Sequence, residues 1–243
     1  MSAYDELVER ARADDDVVGL ILTGSRGRGF RVRPDSDHDV RLVLRDDALD
    51  TYSTPHGSPV EVAVVHRTRF DRVGLPGSGS EWDRYSYVRC ELVLDKLDGV
   101  IARLVAEKAS LSDVEAAALA PEALDGYVNA YYRSARNHQN ELPLESRLDA
   151  AESVPPLLTA LFALDRRVRP FNKFLGWELA QEPLPGDEWS VERLLPRLQR
   201  IVGSGALAEQ QRLFRDVERL ARERGLGAVI DGWEPDVAWL RGD

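Results

Sequence analysis

Strand patterns occupy only the first part of this chain, and that asymmetry limits the folds open to it. Short runs rich in Val, Leu and Ile occur over residues 17–23, 39–44, 60–65 and 91–94. From about Val100 onward the apolar residues recur at helical spacing, and strand patterns do not return. Such a chain builds a sheet with flanking helices first and an all-helical part afterwards. The predicted fold class is α+β, with a small mixed sheet in residues 1–110 and helices in residues 111–243.

Local signals mark the first helix and the division of the chain. Ser2 and Asp5 have the spacing of a capping box in front of a helix over residues 3–13. The stretch around Ser110 separates the last element of the α/β part from the helices that follow. We therefore expect two domains that meet near residue 110.

The composition narrows the classes of function. The formal net charge is −10, whereas a dedicated nucleic-acid binder usually presents a basic face. An acidic surface suits a cationic small molecule or a metal–nucleotide complex. Cys90 is the only cysteine, which excludes an internal disulfide and a Cys-rich zinc site. The N-terminus lacks a signal-peptide pattern and no apolar run reaches membrane-spanning length, so we expect a cytoplasmic protein.

The residues that carry chemistry follow the first predicted strand. Gly24 and Ser25 form a turn at its end, where a glycine backbone and a hydroxyl can hold phosphate oxygens. Asp37 and Asp39 stand two residues apart where the next strand begins, so both carboxylates point to one face and His38 to the other. Paired carboxylates suit Mg²⁺, which binds through one or two acids and substrate phosphates. The pattern predicts a metal-dependent phosphate-handling site.

A third acid is expected on the following strand. Glu61 is the charged residue in an otherwise apolar run, and a lone acid there is costly unless a metal or another partner receives it. It is predicted to be a third metal ligand or the general base that accepts the proton of an acceptor hydroxyl. Glu91 is the substitute if Glu61 faces solvent.

These motifs resemble the polymerase-beta-type nucleotidyltransferase superfamily, which combines a Gly-Ser turn, an Asp-x-Asp pair and a later acid on a strand. Within it the chain is most similar to the streptomycin/spectinomycin-type (aminoglycoside) adenylyltransferases. Residues 34–39 match their Pro-x-Ser-Asp-x-Asp segment, and residues 61–65 match their Glu-Val-x-Val-Val strand, whose Glu is the catalytic base. The resemblance is specific over residues 20–66 and extends to a helical second domain.

The resemblance implies transfer of NMP, as AMP from ATP, to an acceptor hydroxyl, with two Mg²⁺ ions as cofactor. Ser36 and Arg28 are then expected at the nucleotide together with Gly24 and Ser25. Lys173 belongs to a Lys-x-x-x-Trp segment similar to one whose lysine reaches the triphosphate in related transferases. It follows Pro170 at the start of a predicted helix, a position that favours anions.

The acceptor and two alternative functions stay open at the level of sequence. The acidic balance favours a small cationic acceptor, such as an aminoglycoside, bound by acids of the helical domain: Glu141, Glu145, Asp149, Glu152 and Glu178. The Gly-Ser turn of residues 24–29 is equally similar to that of toxin–antitoxin nucleotidyltransferases, which modify a protein or RNA. A basic groove around Arg26, Arg28, Arg31 and Arg33 would favour that function. A non-catalytic nucleotide-binding module is favoured if the three acids fail to converge.

Overall fold

The computed structural model describes residues 1–242 and divides into two compact units, the first spanning Met1–Ser110 and the second beginning at Leu111. The first unit contains four strands, four α-helices and a 3₁₀ segment, Glu81–Tyr87. Its strands are β1 (Val17–Leu22), β2 (His38–Leu44), β3 (Val60–His66) and β4 (Glu91–Asp95). Its helices are α1 (Ala3–Ala13), α2 (Gly24–Arg28), α3 (Arg67–Phe70) and α4 (Val100–Ala109).

The four strands form one mixed sheet in the order β3-β2-β1-β4. Strand β1 pairs antiparallel with both β2 and β4, whereas β2 and β3 are parallel. All six residues of β1 are buried, because this strand is central in the sheet and covered on both faces. As a result, one end of the sheet holds the last residues of β1 and the first residues of β2 and β3, and the predicted acids lie there.

Alternation along the strands separates two apolar faces. On one face Leu20, Leu22, Val40 and Leu42 pack with Val8 of α1. This helix begins at a capping box in which the Ser2 hydroxyl accepts from the Asp5 amide and the Asp5 carboxylate accepts from Ser2.

On the opposite face Ile21, Val43 and Val65 pack with Phe70 of α3 and Ile101 of α4. Because side chains alternate along a strand, Asp39 and Arg41 belong to this second face, together with Val43.

The second unit is entirely helical within its described residues. Its helices are α5 (Asp113–Gln139), α6 (Pro143–Leu164), α7 (Leu175–Gln181), α8 (Val191–Ser204), α9 (Leu207–Glu223), α10 (Gly227–Asp231) and α11 (Asp236–Arg241). The long hairpin of α5 and α6 shares a buried core of Leu, Ala and aromatic side chains with the later helices. A second capping box, Ser112 with Glu115, begins α5.

The predicted fold class is confirmed: a small mixed sheet with flanking helices precedes an all-helical part. One boundary differs from the prediction. The Gly24–Ser25 turn continues into the short helix α2. None of the helices formed by residues 1–242 is both long and apolar enough to span a bilayer.

Candidate functional site

The candidate site is built where β1 ends and α2 begins. Gly24 has a positive φ of 62°, and a β-carbon placed on it would lie 1.7 Å from Oδ2 of Asp39. Only glycine allows so close an approach. Gly27 is required for a similar reason, because a β-carbon there would lie 2.2 Å from the carbonyl oxygen of Leu22. Gly24 thus brings the backbone of α2 directly against the Asp39 carboxylate, and Gly27 brings it against the end of β1.

Thr23 fixes the backbone of Asp39 at the same place. Its amide N–H and its hydroxyl donate to the Asp39 carbonyl oxygen over 2.8 and 3.1 Å. Ser25 follows in α2, where it is half-buried and its carbonyl oxygen accepts from the Phe30 amide. The predicted contacts of Gly24 and Ser25 with phosphate stay a prediction, but both residues lie beside the Asp39 carboxylate or in the same helical turn.

Asp39 and Glu61 are brought together by strand register. They are direct partners in the parallel ladder between β2 and β3. Registered partners on neighbouring strands point to the same face of a sheet, so the two carboxylates share the face that α2 approaches. Asp37 lies on the exposed loop just before β2.

The Glu61 carboxylate has partners within its own loop. The Gly57 amide donates to Oε1 over 2.5 Å, and Nδ1 of His56 lies 3.2 Å from Oε2. The Gly57 hydrogen bond is the main reason that the pKa of Glu61 lies below its usual range; partial desolvation opposes it and His56 adds to it. A carboxylate that stays ionised suits a metal ligand, whereas a general base works best with a pKa near the operating pH.

The three predicted acids do not form one ready-made metal centre. Nowhere in residues 1–242 do three or more His, Cys, Asp or Glu side chains come together in a group that could hold a metal ion. The expected convergence of Asp37, Asp39 and Glu61 is therefore corrected, because Asp37 is on an exposed loop and the 56–57 turn binds the Glu61 carboxylate. Mg²⁺ needs only one or two protein carboxylates when substrate phosphates complete its coordination. Asp39 and Glu61 meet that smaller requirement.

Arg26 holds the loop that carries Asp37. Its Nε donates to the carbonyl oxygens of Ser36 over 2.9 Å and of Asp37 over 3.2 Å, and its Nη2 donates to those of Ser36 over 2.8 Å and Arg33 over 3.3 Å. The Ser36 hydroxyl accepts from the Arg33 amide over 3.0 Å, which closes a turn. Sequence reasoning missed this role, since it treated Arg26 only as part of a basic groove. The predicted contact of Ser36 with nucleotide stays a prediction.

Arg28 does not serve as a free phosphate ligand, which corrects the sequence prediction. Its side chain is buried, donates to the carbonyl oxygens of Gly24 and Tyr85, and stacks 4.6 Å from the centre of the Tyr85 ring. The 3₁₀ segment is also attached to the sheet by Arg41, whose Nη2 lies 2.6 Å from Oδ2 of Asp83. Arg26 and Arg28 therefore bind protein carbonyls and do not line the basic groove that was expected around them.

His38 and Glu91 lie on the opposite face of the sheet from Asp39. The His38 ring stacks on Tyr4 of α1 with a centroid distance of 4.4 Å. Burial lowers the pKa of His38, and the charge of Arg26 acts in the same direction, so the ring is neutral at pH 7. Glu91 pairs with Leu22 of β1, whose side chain packs on the α1 face. Glu91 therefore cannot replace Glu61 beside Asp39.

Residues predicted to act from the second unit have mixed outcomes. Lys173 is exposed and lies 4.9 Å from the centre of the Phe174 ring, and its predicted contact with triphosphate stays a prediction. Asp149 and Glu152 both pair with Arg133, and the buried Glu178 pairs with Arg167. These three acids already have arginine partners, so they do not form the acidic acceptor lining that the sequence suggested.

Comparison with known proteins gives distant structural likenesses and no match at the level of sequence families. No protein-family model matches the chain, and no curated protein matches it. Among solved structures it is similar to a nucleotidyltransferase-like protein from Exiguobacterium sibiricum, at 11% sequence identity and a TM-score of 0.42. The alignment covers 89% of this chain and 77% of that one. With an identity and a TM-score this low, the likeness assigns no function to the chain.

Proposed function

We propose that this chain is a metal-dependent nucleotidyltransferase that moves a nucleoside monophosphate, AMP from ATP, onto an acceptor hydroxyl. The observation that carries the proposal is the close approach of Gly24 to the Asp39 carboxylate, with Glu61 registered beside Asp39 on the same face. A glycine turn that can hold phosphate thus lies against acids that can bind a metal. The polymerase-beta-type nucleotidyltransferases, which the sequence resembles, have the same parts in the same order along the chain.

The residue types fit Mg²⁺, because oxygen ligands from one or two carboxylates are what this ion takes from a protein. Asp39 and Glu61 would hold it, and Asp37 would lie nearby on the loop that Arg26 holds in place. Bound Mg²⁺ supplies neutralisation of phosphate charge and activation of the attacking oxygen.

The chain's own residues position the reactants. Gly24 and Ser25 would orient the triphosphate with backbone N–H groups and a hydroxyl. The acceptor hydroxyl releases its proton to solvent as its oxygen attacks the α-phosphorus. The bond from that phosphorus to the oxygen that bridges to the β-phosphate breaks, and pyrophosphate leaves. As in other phosphoryl transfers, most of the rate enhancement comes from positioning and electrostatics. We assign Glu61 to metal binding because it is registered beside Asp39 on the same face of the sheet and accepts a hydrogen bond from the Gly57 amide, which favours the ionised carboxylate.

A second function is favoured by one observation. Because residues 1–242 hold no group of three potential metal-binding side chains, a nucleotide-binding module without transfer activity is the alternative. Nucleotide binding that depends on Asp39 is common to both functions. Cleavage between the α- and β-phosphates belongs only to the transferase.

The proposal is tested with ATP that carries the radiolabel at either the α- or the γ-phosphate. The full chain is incubated with Mg²⁺ and pools of aminoglycosides, proteins or tRNA. We expect the α-label to move to an acceptor and the γ-label to leave as pyrophosphate, and Asp39→Asn to abolish both. Transfer of the γ-label would contradict the proposal, and ATP binding with no α-label transfer to any pool would favour the non-catalytic module.

A further inference from the structure

A groove lined by arginines lies on the surface of the second unit. It has a volume of about 660 Å³ and is bordered by α8, α9 and the 3₁₀ turn Asp187–Trp189 that precedes α8. Six arginines line it, against four acidic residues. The arginines are Arg193, Arg197, Arg200, Arg212, Arg215 and Arg219. The lining therefore has two more arginines than acids, in a chain whose net charge is −10. Some of these arginines also form ion pairs, Arg193 with Asp187 and Arg219 with Glu188.

Helical spacing explains how the arginines come to line one groove. Arg193, Arg197 and Arg200 are spaced by four and three residues, which places them on one side of α8. Arg212 and Arg219 are seven residues apart and lie on one side of α9. The opposite sides of the same helices are buried in the core of the unit. Each helix therefore contributes one arginine row to the groove.

A buried carboxylate fixes the arginines in place. Glu209 is in contact with Arg197 over 3.3 Å, Arg200 over 2.9 Å and Arg212 over 3.2 Å. Desolvation of Glu209 acts to raise its pKa, but these arginines outweigh it, so the pKa lies below the usual range and the group stays ionised. Arg197 also pairs with Asp216 over 2.8 Å. Three cations therefore meet two anions here, which leaves one excess positive charge at this point of the groove.

The arginines that meet at Glu209 remain accessible. The side chains of Arg200 and Arg212 are 54% and 60% exposed, and Glu209 is contacted by only one nitrogen of each. A guanidinium has further N–H donors arranged in a planar fork that matches phosphate oxygens. The remaining donors of these two arginines can therefore bind an anion in the groove without breaking their contacts with Glu209.

We propose that this groove binds a small polyphosphate-bearing molecule, at a site separate from the one around Asp39. Its volume lies in the range of small-ligand sites, and its arginines suit phosphate oxygens. Sites for single-stranded nucleic acid add aromatic side chains on which bases stack, and none of the described residues that line this groove is aromatic. Exposed ion pairs contribute little to stability, so stability alone does not explain why several exposed arginines are gathered at this groove.

Calorimetric titration with inorganic tripolyphosphate in EDTA tests this proposal without involving metal-dependent binding at Asp39. We expect binding to the full chain that weakens as ionic strength rises. The double variant Arg200→Ala/Arg212→Ala should bind at least about tenfold more weakly, as expected for loss of charge-assisted hydrogen bonds. The control Arg12→Ala/Arg45→Ala removes the same charge from exposed pairs of the first unit and should bind like the parent.

A second variant guards against misfolding of the first. Arg200→Lys/Arg212→Lys keeps both charges but loses the planar fork, so its affinity should lie between those of the parent and the alanine variant. No binding of tripolyphosphate, or equal weakening in the groove variant and the control, would overturn the proposal. A single-stranded oligonucleotide that binds the groove more tightly than tripolyphosphate would show that the class of ligand is wrong. Failure here leaves the transferase proposal intact, since α-label transfer is measured separately.

Discussion

Replacement of Gly24 by alanine tests whether the approach of α2 to Asp39 builds the site. The added methyl carbon would lie 1.7 Å from Oδ2 of Asp39, far inside a carbon–oxygen contact of about 3.3 Å. Either the Asp39 side chain or the backbone of α2 must move. Gly29 provides a matched control, because its φ of 65° is nearly the same as the 62° of Gly24, but a β-carbon there meets nothing within 4 Å.

The two variants separate backbone strain from the clash. A positive φ costs an alanine about 1–2 kcal/mol, so Gly29→Ala should lower the free energy of unfolding by that amount. Gly24→Ala carries the same strain and also the overpacking, which typically costs about 1–3 kcal/mol. We therefore expect Gly24→Ala to be the less stable of the two by about 1–3 kcal/mol. If the Asp39 side chain rotates away instead, the stability difference shrinks but the carboxylate leaves its place.

Both outcomes are measurable on the same samples. Urea unfolding gives the free energy of each variant, and calorimetry with ATP and Mg²⁺ gives the affinity of the site. We expect Gly29→Ala to bind ATP like the parent, and Gly24→Ala to lose binding, stability or both. If the two variants match in stability and in ATP affinity, the contact between Gly24 and Asp39 has no role in the site.

The remaining predictions concern the acids and the arginine that supports them. Asp37→Asn and Asp39→Asn should abolish Mg²⁺-dependent ATP binding. They should not lower the unfolding temperature of the metal-free chain, since removal of a metal-site charge relieves repulsion. A large drop in the unfolding temperature would mean that these acids are structural. Arg26→Ala should speed amide exchange and proteolysis in residues 33–37. Arg26→Lys should not restore protection, because a single ammonium cannot replace the several guanidinium contacts. Equal protection in the parent and both variants would show that Arg26 does not hold this loop in place. The hydrogen bond from Arg241 is the main cause that lowers the pKa of Glu218, and Arg222 adds to it. The ionised Glu218 therefore stabilises the fold above its unfolded pKa near 4.5, and this stabilisation is lost as pH falls through the lower folded pKa. In Glu218→Gln, the free energy of unfolding should fall less steeply with decreasing pH than in the parent.

The sheet and the glycine turn could be predicted because their signals are local. Short runs rich in Val, Leu and Ile identified the four strands, and the spacing of Asp39 from Gly24 placed an acid near the turn. The fate of the charged side chains could not be predicted in this way. Glu61 is bound by a turn five residues earlier in the chain, and Arg28 reaches a carbonyl 57 residues away. Whether a guanidinium binds a carbonyl, a carboxylate or solvent depends on tertiary packing, which single-residue patterns do not encode.

The lysines show the same limit. Because lysine is rare in this chain, each of the three could be taken as functional. Lys96 instead donates to the carbonyl oxygens of Ala11 and Asp14 near the end of α1. Lys108 is fully buried and donates to the carbonyl oxygen of Asp71. Only Lys173 is exposed, so rarity by itself did not separate a structural lysine from one that could meet a ligand.

The central claim is that Asp39 holds a divalent cation together with a nucleotide, and it can be measured before any acceptor is known. Mn²⁺ substitutes for Mg²⁺ at oxygen-ligand sites and is visible by electron paramagnetic resonance. We expect ATP to create a Mn²⁺ site on the full chain and Asp39→Asn to weaken it by about tenfold or more, as for loss of a charged ligand. Equal Mn²⁺ binding by the parent and by Asp39→Asn in the presence of ATP would contradict the account.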